Sequence, residues 1–279
     1  MLPSPASAAG TLVVAGIEVA RLGFGAMRIT GPGVWGPPAD PAGAVLVLRR
    51  AVELGVGLID TADAYGPGTS EDLIAQALHP YPSSVVVATK GGLVREGPGQ
   101  WSADGSPQHL RTACEQSLRR LRVDAIDLYQ LHAPDERVPF EDSVGALVGL
   151  RDAGKVRHIG LSNVTLDQLR AAQRLTPVAS VQNAYSRHHR AGEDVLRACE
   201  ADGIAFLPYR PLDVGRFDPA HRIARSHGAD VRQVALAWLL AHSPVALPIP
   251  GTADVRHLEQ NVAAAALTLT PAQLAKLDG

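Results

Sequence analysis

The fold of this chain is decided by residues 55–66, Gly-Val-Gly-Leu-Ile-Asp-Thr-Ala-Asp-Ala-Tyr-Gly. The apolar run 56–59 is typical of a short buried strand, and it stops at a carboxylate, Asp60. A charge at the end of a buried strand is costly unless an opposite charge lies beside it. The next apolar run, residues 84–89, ends on Lys90. We therefore predict two neighbouring strands whose carboxyl ends carry an ion pair.

A third apolar run, residues 125–131, ends on His132, and Tyr65 lies in the loop that follows the first strand. The ordinary pKa of a phenol, ~10, makes it a poor proton donor at neutral pH. A nearby ammonium lowers that pKa, and Asp60 would keep Lys90 charged for this purpose. The pattern predicts a general acid/base centred on Tyr65, in which His132 orients a carbonyl or relays a proton.

The alternation of a strand with a helix repeats along the chain. After a β-hairpin over residues 12–20, apolar runs predict strands at residues 21–26, 56–60, 84–89, 125–131, 156–162, 178–183, 204–208 and 245–249. Helices are predicted from Asp40-Pro41, over 70–78, 107–121, 140–153, 166–175, 191–202, 219–242 with a break near Gly228, 253–265, and from Thr270-Pro271. Eight such units in about 250 residues predict the α/β class and a (β/α)8 TIM barrel with a short C-terminal helix. We expect one barrel domain over residues 1–279, with residues 1–10 loose.

The composition argues against several classes of function. The 279 residues include 26 basic and 28 acidic side chains, which gives no electrostatic case for binding nucleic acid or an anionic membrane. No apolar run reaches the ~18 residues of a membrane span, and the N-terminus lacks the pattern of a signal peptide. Cys114 and Cys199 are too few for a disulfide framework and are expected to be reduced core thiols. We expect a cytoplasmic protein, either a monomer or a small homo-oligomer.

Hydrogen-bonding groups also stand at the predicted ends of other strands, namely Ser162-Asn163, Gln182-Asn183, Tyr209 and Pro250-Gly251-Thr252. Because chemistry in such barrels lies at the carboxyl ends of the strands, these groups are expected to share one face. The chain shows neither metal-ligand spacing nor a G-x-S-x-G nucleophile motif. A proton donor without a nucleophile or a metal indicates that the second reactant is a cofactor.

Several motifs resemble those of the aldo-keto reductase superfamily, from about Arg21 to Lys276. They are Ile-Asp-Thr-Ala-Asp-Ala-Tyr-Gly (59–66), Ala-Thr-Lys-Gly (88–91), Asp-Leu-Tyr-Gln-Leu-His (127–132), Gly-Lys-Val-Arg-His-Ile-Gly-Leu-Ser-Asn (154–163), Val-Gln-Asn-Ala-Tyr-Ser (181–186) and Ile-Pro-Gly-Thr (249–252). The resemblance is to short-tailed bacterial members. It implies a barrel that binds NADPH in an extended pose and reduces aldehydes or ketones by hydride transfer. Residues 33–38 also resemble a subgroup that includes pyridoxal reductases.

The resemblance implies a role for each site residue. The catalytic tetrad corresponds to Asp60, Tyr65, Lys90 and His132, with Tyr65 protonating the carbonyl oxygen. The cofactor-binding set is Gly25, Met27, Asp60, Ser162, Asn163, Gln182, Tyr209, Arg210, Pro211, Leu212, Ile249, Gly251, Thr252, His257, Gln260 and Asn261. The substrate itself would be a small-molecule carbonyl compound, and the loop aromatics that could form its walls are Trp35 and Trp101.

Within the cofactor-binding set, three side chains correspond to residues that hydrogen-bond the nicotinamide carboxamide: Ser162, Asn163 and Gln182. Tyr209 corresponds to the aromatic residue that stacks on the nicotinamide ring. Tyr185 is its rival, and we favour Tyr209 because it ends the seventh predicted strand. Arg210 is a candidate phosphate contact, and Thr252 and Asn261 fall in the adenosine-binding segment.

Three positions depart from the pattern of the family. Gly251 stands where many members carry a lysine for the 2′-phosphate of NADPH. His257 stands at a later arginine position, and Gln260 replaces a common glutamate. NADPH is therefore the expected cofactor, and NADH is the open alternative.

Other interpretations of the sequence stay open. A binding or regulatory protein could use the same barrel and cofactor site with little turnover, and a lyase or isomerase could use a plain barrel. A doubly wound sheet would usually carry a glycine-rich phosphate turn. Residues 31–36 match G-x-G-x-x-G, but they contain a proline and open no helix, so we interpret them as a surface loop. Substrate choice is assigned to the loops 27–40, 91–106 and 210–218, whose shape the sequence does not reveal.

Overall fold

The structure, a computed structural model, describes residues 4–213 and 219–278 of the chain. The strands are short, and in chain order they are β1 (Thr11–Val14), β2 (Ile17–Ala20), β3 (Phe24–Gly25), β4 (Leu58–Asp60), β5 (Val86–Gly91), β6 (Leu93–Gly97), β7 (Gln100–Ala103), β8 (Ile126–Leu131), β9 (Val156–Ser162), β10 (Ser180–Gln182) and β11 (Ala205–Phe206). The α-helices are α1 (Pro41–Glu53), α2 (Thr69–Leu78), α3 (Pro107–Leu121), α4 (Phe140–Asp152), α5 (Leu166–Gln173), α6 (Glu193–Asp202), α7 (Ala220–His227), α8 (Val231–His242), α9 (Val255–Ala263) and α10 (Pro271–Asp278). Short 3₁₀ helices cover Pro5–Ala9, Ala26–Ile29, Pro32–Val34 and Ala264–Ala266.

One parallel sheet of seven strands organises the described part of the chain, in the order β11-β10-β9-β8-β5-β4-β3. Every neighbouring pair is parallel, so all the carboxyl ends lie at one edge of the sheet. The connections between successive strands contain α1 to α6. This arrangement confirms the predicted α/β architecture, and it brings the residues that follow each strand to the same face.

The predicted eighth strand, residues 245–249, is not a strand. The segment touches both edges of the curled sheet, because Leu247 N donates to Phe206 O at 2.9 Å and Gly23 N donates to Pro248 O at 3.0 Å. Pro248 has no N–H to donate, so this segment does not form a regular ladder. The barrel is therefore joined here by scattered hydrogen bonds and is not closed by a continuous eighth strand.

Two hydrophobic layers surround the sheet. The inner layer fills the barrel and is closed at the amino end by the β1–β2 hairpin; it includes Val14, Val19, Leu58, Val86, Ala88, Leu128, Leu207 and Leu247. The outer layer lies between the sheet and the helices and includes Leu48, Ile74, Leu110, Leu147, Leu169, Leu196 and Trp238. Strands that are buried on both faces have continuous apolar runs, which is the pattern that identified them in the sequence.

Side-chain caps fix the start of several helices. Asp40, Ser106 and Thr165 cap α1, α3 and α5, and each side chain accepts a backbone N–H three residues further on. In α5, the backbone N–H of Thr165 donates to Oε1 of Gln168, which completes a capping box. Such caps satisfy N–H groups that have no partner within the helix, so local sequence determines where these helices begin.

The prediction that residues 1–10 are loose is wrong for residues 4–10; residues 1–3 lie outside the described part. The 3₁₀ helix Pro5–Ala9 packs onto the barrel, with Ala6 fully buried. Ala6 N donates to Leu54 O at 3.0 Å. Small alanine side chains allow this close packing, which a pattern rich in Pro, Ala and Ser does not reveal.

The loop 91–106 contains an antiparallel hairpin of β6 and β7 that we did not predict. Its tip lies against another loop, because Gly99 N donates to Gly33 O at 2.9 Å. Elsewhere, Cys114 and Cys199 are buried free thiols, as expected. None of the helices within residues 4–213 and 219–278 is both long enough and apolar enough to cross a membrane.

Candidate active site

Asp60, the last residue of β4, is the centre of a buried hydrogen-bond network. Its Oδ2 accepts from Lys90 Nζ of β5 at 2.8 Å. Its Oδ1 accepts from Gln182 Nε2 of β10 at 2.8 Å and from Gln130 Nε2 of β8 at 3.1 Å. Three strands of the sheet thus hold one carboxylate, and the predicted ion pair between Asp60 and Lys90 is present.

The ammonium group of Lys90 is fully buried, and its three N–H donors have three acceptors. Besides Asp60, these are the carbonyl oxygen of Thr61 at 2.8 Å and the hydroxyl of Tyr65 at 3.5 Å. Burial by itself lowers the pKa of Lys90, but the charge of Asp60 and the hydrogen bonds raise it above its ordinary value. Lys90 is therefore a fixed cation beside the Tyr65 hydroxyl.

The hydroxyl of Tyr65 is the group on which the predicted chemistry depends. The residue is 7% exposed, and its ring centre lies 5.1 Å from Lys90 Nζ. Burial raises the pKa of Tyr65, the charge of Lys90 lowers it in part, and the net shift is upward. The ammonium lowers this pKa as expected, but desolvation of the phenolate, which was not considered, outweighs that attraction. Tyr65 is consequently protonated at neutral pH, which is the state that a proton donor needs.

His132 follows β8 and lies against Tyr65, with the ring centres 5.7 Å apart and the planes at 80°. Burial and the charge of Lys90 hold the pKa of His132 well below its ordinary value, so the imidazole is neutral. Its Nδ1 is buried and has no hydrogen-bond partner among residues 4–213 and 219–278. Buried polar atoms are rarely left without a partner, so this nitrogen is an exception within the site.

A cavity of about 730 Å³ is lined by Asp60, Tyr65 and His132. The predicted cofactor contacts that also line it are Gly25, Met27, Ser162, Asn163, Gln182, Tyr209, Arg210, Pro211, Leu212, Ile249 and Gly251. Lining residues that sequence analysis did not select are Arg28, Val34, Leu93, Asp213 and Pro250. Arg28 could have been found, because it directly follows Met27 in one 3₁₀ helix. A cavity of this size suits a small-molecule ligand.

The other predicted cofactor contacts, Thr252, His257, Gln260 and Asn261, do not line this cavity. They lie after residue 251 and along α9, whose first free N–H groups are capped by Asp254. The structure therefore separates the predicted adenosine-binding segment from the residues around Tyr65, although both belong to one face of the barrel.

Asn163 connects two sides of the cavity. Its Nδ2 donates to the carbonyl oxygen of His132 at 2.9 Å and to Ser162 Oγ at 3.1 Å. Its Oδ1 accepts from the Tyr209 hydroxyl at 2.7 Å. Gln182 donates one N–H of its Nε2 to Asp60, so its second N–H and its Oε1 are left for a ligand. The three predicted carboxamide contacts thus have structural partners already, which holds them in place.

Tyr185, the rival of Tyr209, lies outside the cavity lining and is buried in an aromatic cluster. Its ring packs edge-on against Phe206 and stacks with Trp238, at centre-to-centre distances of 5.7 and 6.3 Å. Its hydroxyl is hydrogen-bonded to His242 Nε2 at 2.8 Å. Of the two tyrosines, only Tyr209 lines this cavity.

The two predicted substrate-wall aromatics are placed differently. Trp101 of β7 lines the cavity and meets Tyr65 and His132 edge-on, at centre-to-centre distances of 6.3 and 6.4 Å. Trp35 is exposed to a similar degree but does not line the cavity. The third predicted substrate loop, 210–218, extends beyond the described residues from position 214 onward.

Comparison with known proteins agrees with this arrangement. The sequence profile of the Aldo/keto reductase family matches residues 21–222 and 216–279. The chain belongs to this family. Its relatives include a protein of Schizosaccharomyces pombe described as an uncharacterized oxidoreductase, which is 46% identical over 277 residues, or 98% of this chain and 90% of the relative.

Two further proteins are similar to this chain over most of its length. The pyridoxine 4-dehydrogenase of Escherichia coli is 43% identical over 274 residues, which cover 94% of this aldo/keto reductase and 95% of the relative. The crystal structure of an aldo/keto reductase from Klebsiella pneumoniae in complex with NADP and acetate has a TM-score of 0.81 at 29% identity, covering 96% of this chain and 94% of that one. Because it belongs to this family and its relatives are oxidoreductases, this aldo/keto reductase is an NADP-dependent oxidoreductase.

Proposed function

We propose that this aldo/keto reductase reduces an aldehyde or ketone to the alcohol, with NADPH as the cofactor and Tyr65 as the general acid. The observation that carries the proposal is that Tyr65 lines the cavity and that its hydroxyl lies 3.5 Å from the buried ammonium of Lys90. A protonated phenol beside a fixed cation can release its proton, because the cation stabilises the phenolate that remains.

Each member of the tetrad has a separate task in this proposal. His132, which is neutral and lines the cavity, hydrogen-bonds and orients the carbonyl compound. Tyr65 donates its proton to the carbonyl oxygen. Lys90 stabilises the phenolate, and Asp60 neutralises Lys90 so that the pair is tolerated in a buried site. Because Tyr65 must be protonated, we expect reduction to be favoured at neutral pH and the reverse oxidation at alkaline pH.

The cavity fits the nicotinamide half of the cofactor. The polar atoms of Ser162 and Gln182 would bind the carboxamide, Tyr209 would stack on the ring, and the cations Arg28 and Arg210 would bind the pyrophosphate. When bound, NADPH supplies the hydride for the carbonyl carbon. An extended cofactor would continue out of the cavity toward Thr252, His257, Gln260 and Asn261. These four residues lie outside the cavity lining, as such a path requires.

Gly251 bears on the choice between NADPH and NADH. A Cβ atom at this position would lie 2.4 Å from the carbonyl oxygen of Gly25, so no side chain fits without a backbone shift. A lysine for the 2′-phosphate is therefore excluded by packing at this point of the backbone. We propose that Arg256 and His257, both exposed near the start of α9, supply the remaining contacts for that phosphate.

We further propose that the substrate is a flat aromatic aldehyde such as pyridoxal. The edge-on contacts of Trp101 with Tyr65 and His132 form an aromatic wall at the reacting end of the cavity. A planar ring can pack against such a wall more favourably than a branched aliphatic chain. The name of the Escherichia coli relative, pyridoxine 4-dehydrogenase, supports the same class of compound.

Cofactor titration and turnover test the proposal together. NADPH and NADH would be titrated by fluorescence, and cofactor oxidation would then be followed with pyridoxal, 4-nitrobenzaldehyde and aliphatic aldehydes. For Tyr65→Phe we expect unchanged NADPH binding and a loss of turnover of about 100-fold or more. Turnover that survives in Tyr65→Phe would sink the mechanism. Tight NADPH binding without turnover on any aldehyde would instead support a regulatory protein, and no nucleotide binding would support a lyase or isomerase.

A further inference from the structure

Arg95, on β6 of the unpredicted hairpin, uses every donor of its guanidinium group. Nε donates to Gln100 O at 2.8 Å. Nη1 donates to Val34 O at 2.7 Å and to Ala64 O at 3.0 Å. Nη2 donates to Gly33 O at 2.7 Å and to Gly97 O at 3.2 Å. An arginine has five N–H donors, so these five carbonyl oxygens satisfy it completely.

The five acceptors belong to three segments that are far apart in the sequence: the loop 31–36, the Tyr65 loop 61–66 and the hairpin 93–103. Ala64 O belongs to the peptide group that leads into Tyr65. On the other side of Tyr65, Gly66 N donates to Val34 O at 3.2 Å, which is the same oxygen that Arg95 binds. The backbone is thus held on both sides of the proton donor.

The guanidinium group of Arg95 also contacts Trp101, which is part of the aromatic wall. The guanidinium carbon lies 3.6 Å from the ring centre of Trp101 and 5.8 Å from that of Trp35. Within residues 4–213 and 219–278, no carboxylate lies within ion-pair distance of Arg95. Its charge is therefore balanced by carbonyl dipoles and by the Trp101 ring, both of which depend strongly on geometry.

We propose that Arg95 is a positioning residue that sets the substrate side of the cavity by holding the Tyr65 loop and Trp101 in register. This inference rests on the proposed function, because it assigns Arg95 an effect on reduction of an aromatic aldehyde. Arg95 does not line the cavity, so its effect passes through Tyr65 and Trp101. A lysine keeps the charge but has three donors on one atom, and it cannot reach five carbonyls in a plane.

Kinetics of Arg95→Lys test the proposal, with Arg157→Lys as the matched control. Arg157 is an exposed arginine on β9 that pairs with Asp127 at 3.4 Å, away from the cavity. We expect kcat/KM for pyridoxal or 4-nitrobenzaldehyde to fall about tenfold or more in Arg95→Lys, since small misplacements of reacting groups are costly. The Kd of NADPH should stay the same, and the control should match the wild type. Equal kcat/KM in both variants would overturn the proposal. A loss of NADPH affinity in Arg95→Lys as large as its loss of kcat/KM would overturn it too.

Chemical rescue separates positioning from a general loss of structure. In Arg95→Ala, added guanidinium chloride at non-denaturing concentration should restore part of kcat/KM, because the five carbonyl oxygens form a site for the ion. Ammonium chloride at the same ionic strength should not. Failure of guanidinium to restore any activity would count against the positioning role.

Hydrogen exchange measured by mass spectrometry tests the proposal without any substrate. In Arg95→Lys, amide exchange should become faster in peptides that cover residues 31–36, 61–66 and 93–103, and it should stay unchanged in Arg157→Lys. If the wild type reduces no aldehyde while these peptides respond, the proposed function fails and the holding role of Arg95 stands. If exchange in these peptides is unchanged, the proposal is overturned whatever the activity.

Discussion

The floor, which is the group Asp60, Lys90, Gln130 and Gln182, belongs to strands of the parallel sheet, and Asp60 and Gln182 line the cavity. The rim, which is Arg95 and Trp101 with the loop 31–36, belongs to the β6–β7 hairpin and a loop outside that sheet. At the floor, side chains bind one another and are almost completely buried. At the rim, one side chain binds backbone carbonyls, and Trp101 is partly exposed. The sheet alone positions the floor, but the rim depends on a single residue that joins separate loops.

A second contrast lies within the Tyr65 loop. Asp60 accepts hydrogen bonds from three side chains, whereas Asp63 has its Oδ1 buried without a hydrogen-bond partner in the described part of the chain. Burial, together with the nearby charge of Glu71, raises the pKa of Asp63 to about 8. The two carboxyl groups, three positions apart, thus lie in different surroundings, and the raised pKa of Asp63 favours its protonated form.

The largest effect is expected from Lys90→Met, which removes the cation of the ion pair in the floor. The carboxylate of Asp60 would stay buried without its cation, and removing one partner of a buried ion pair costs about 3–5 kcal/mol. We expect the free energy of unfolding in urea to fall by that amount and turnover to fall by about 100-fold or more. Lys155→Met is the control, because Lys155 pairs with Glu115 at the surface and should matter by less than about 1 kcal/mol. Similar losses in both variants would contradict the prediction that the buried ion pair of the floor stabilises the fold more than a surface ion pair does.

Asp63→Asn sharpens the contrast between the two carboxyl groups. The carboxyl of Asp63 ionises near its ordinary pKa of 3.8 in the unfolded chain but near pH 8 in the folded protein. Between these values the folded state binds one more proton, so the free energy of unfolding falls as pH rises, by about 1.4 kcal/mol per pH unit. Asp63→Asn removes this slope, and its stability relative to the wild type should increase by about 3 kcal/mol from pH 5 to pH 7.

Urea unfolding at pH 5, 6 and 7 measures this difference. The control is Asp124→Asn, an exposed aspartate before β8, which should keep the slope of the wild type. A constant difference between Asp63→Asn and the wild type at all three pH values would show that Asp63 is ionised in the folded protein.

The smallest effect is expected at the rim, from Trp101→Leu. Aromatic contacts of this kind contribute about 0.5–1.5 kcal/mol, so KM for an aromatic aldehyde should rise by up to about tenfold with little change in kcat or stability. Trp35→Leu is the matched control, because Trp35 is 37% exposed, close to the 39% of Trp101, but does not line the cavity. If both variants raise KM equally, Trp101 has no particular role as a substrate wall.

Gln130 shows where the sequence is insufficient at the floor. It lies inside a motif that pointed to His132, yet its contact with Asp60 was not predicted. The strand β8 is buried on both faces, so its apolar run does not alternate and does not reveal which side chains point into the barrel. Only the arrangement of the neighbouring strands shows that Gln130 and Gln182 reach the same carboxylate oxygen.

The sequence by itself determined seven of the eight predicted barrel strands, the helices between them and the pairing of Asp60 with Lys90. These features depend on local apolar patterns, on short-range hydrogen bonds and on the cost of a buried unpaired charge. Only the tertiary structure decided the upward pKa shift of Tyr65 and the contacts of Arg95, because burial and long-range geometry set both. Every residue carries a carbonyl oxygen, so no sequence pattern can mark the five that one arginine joins.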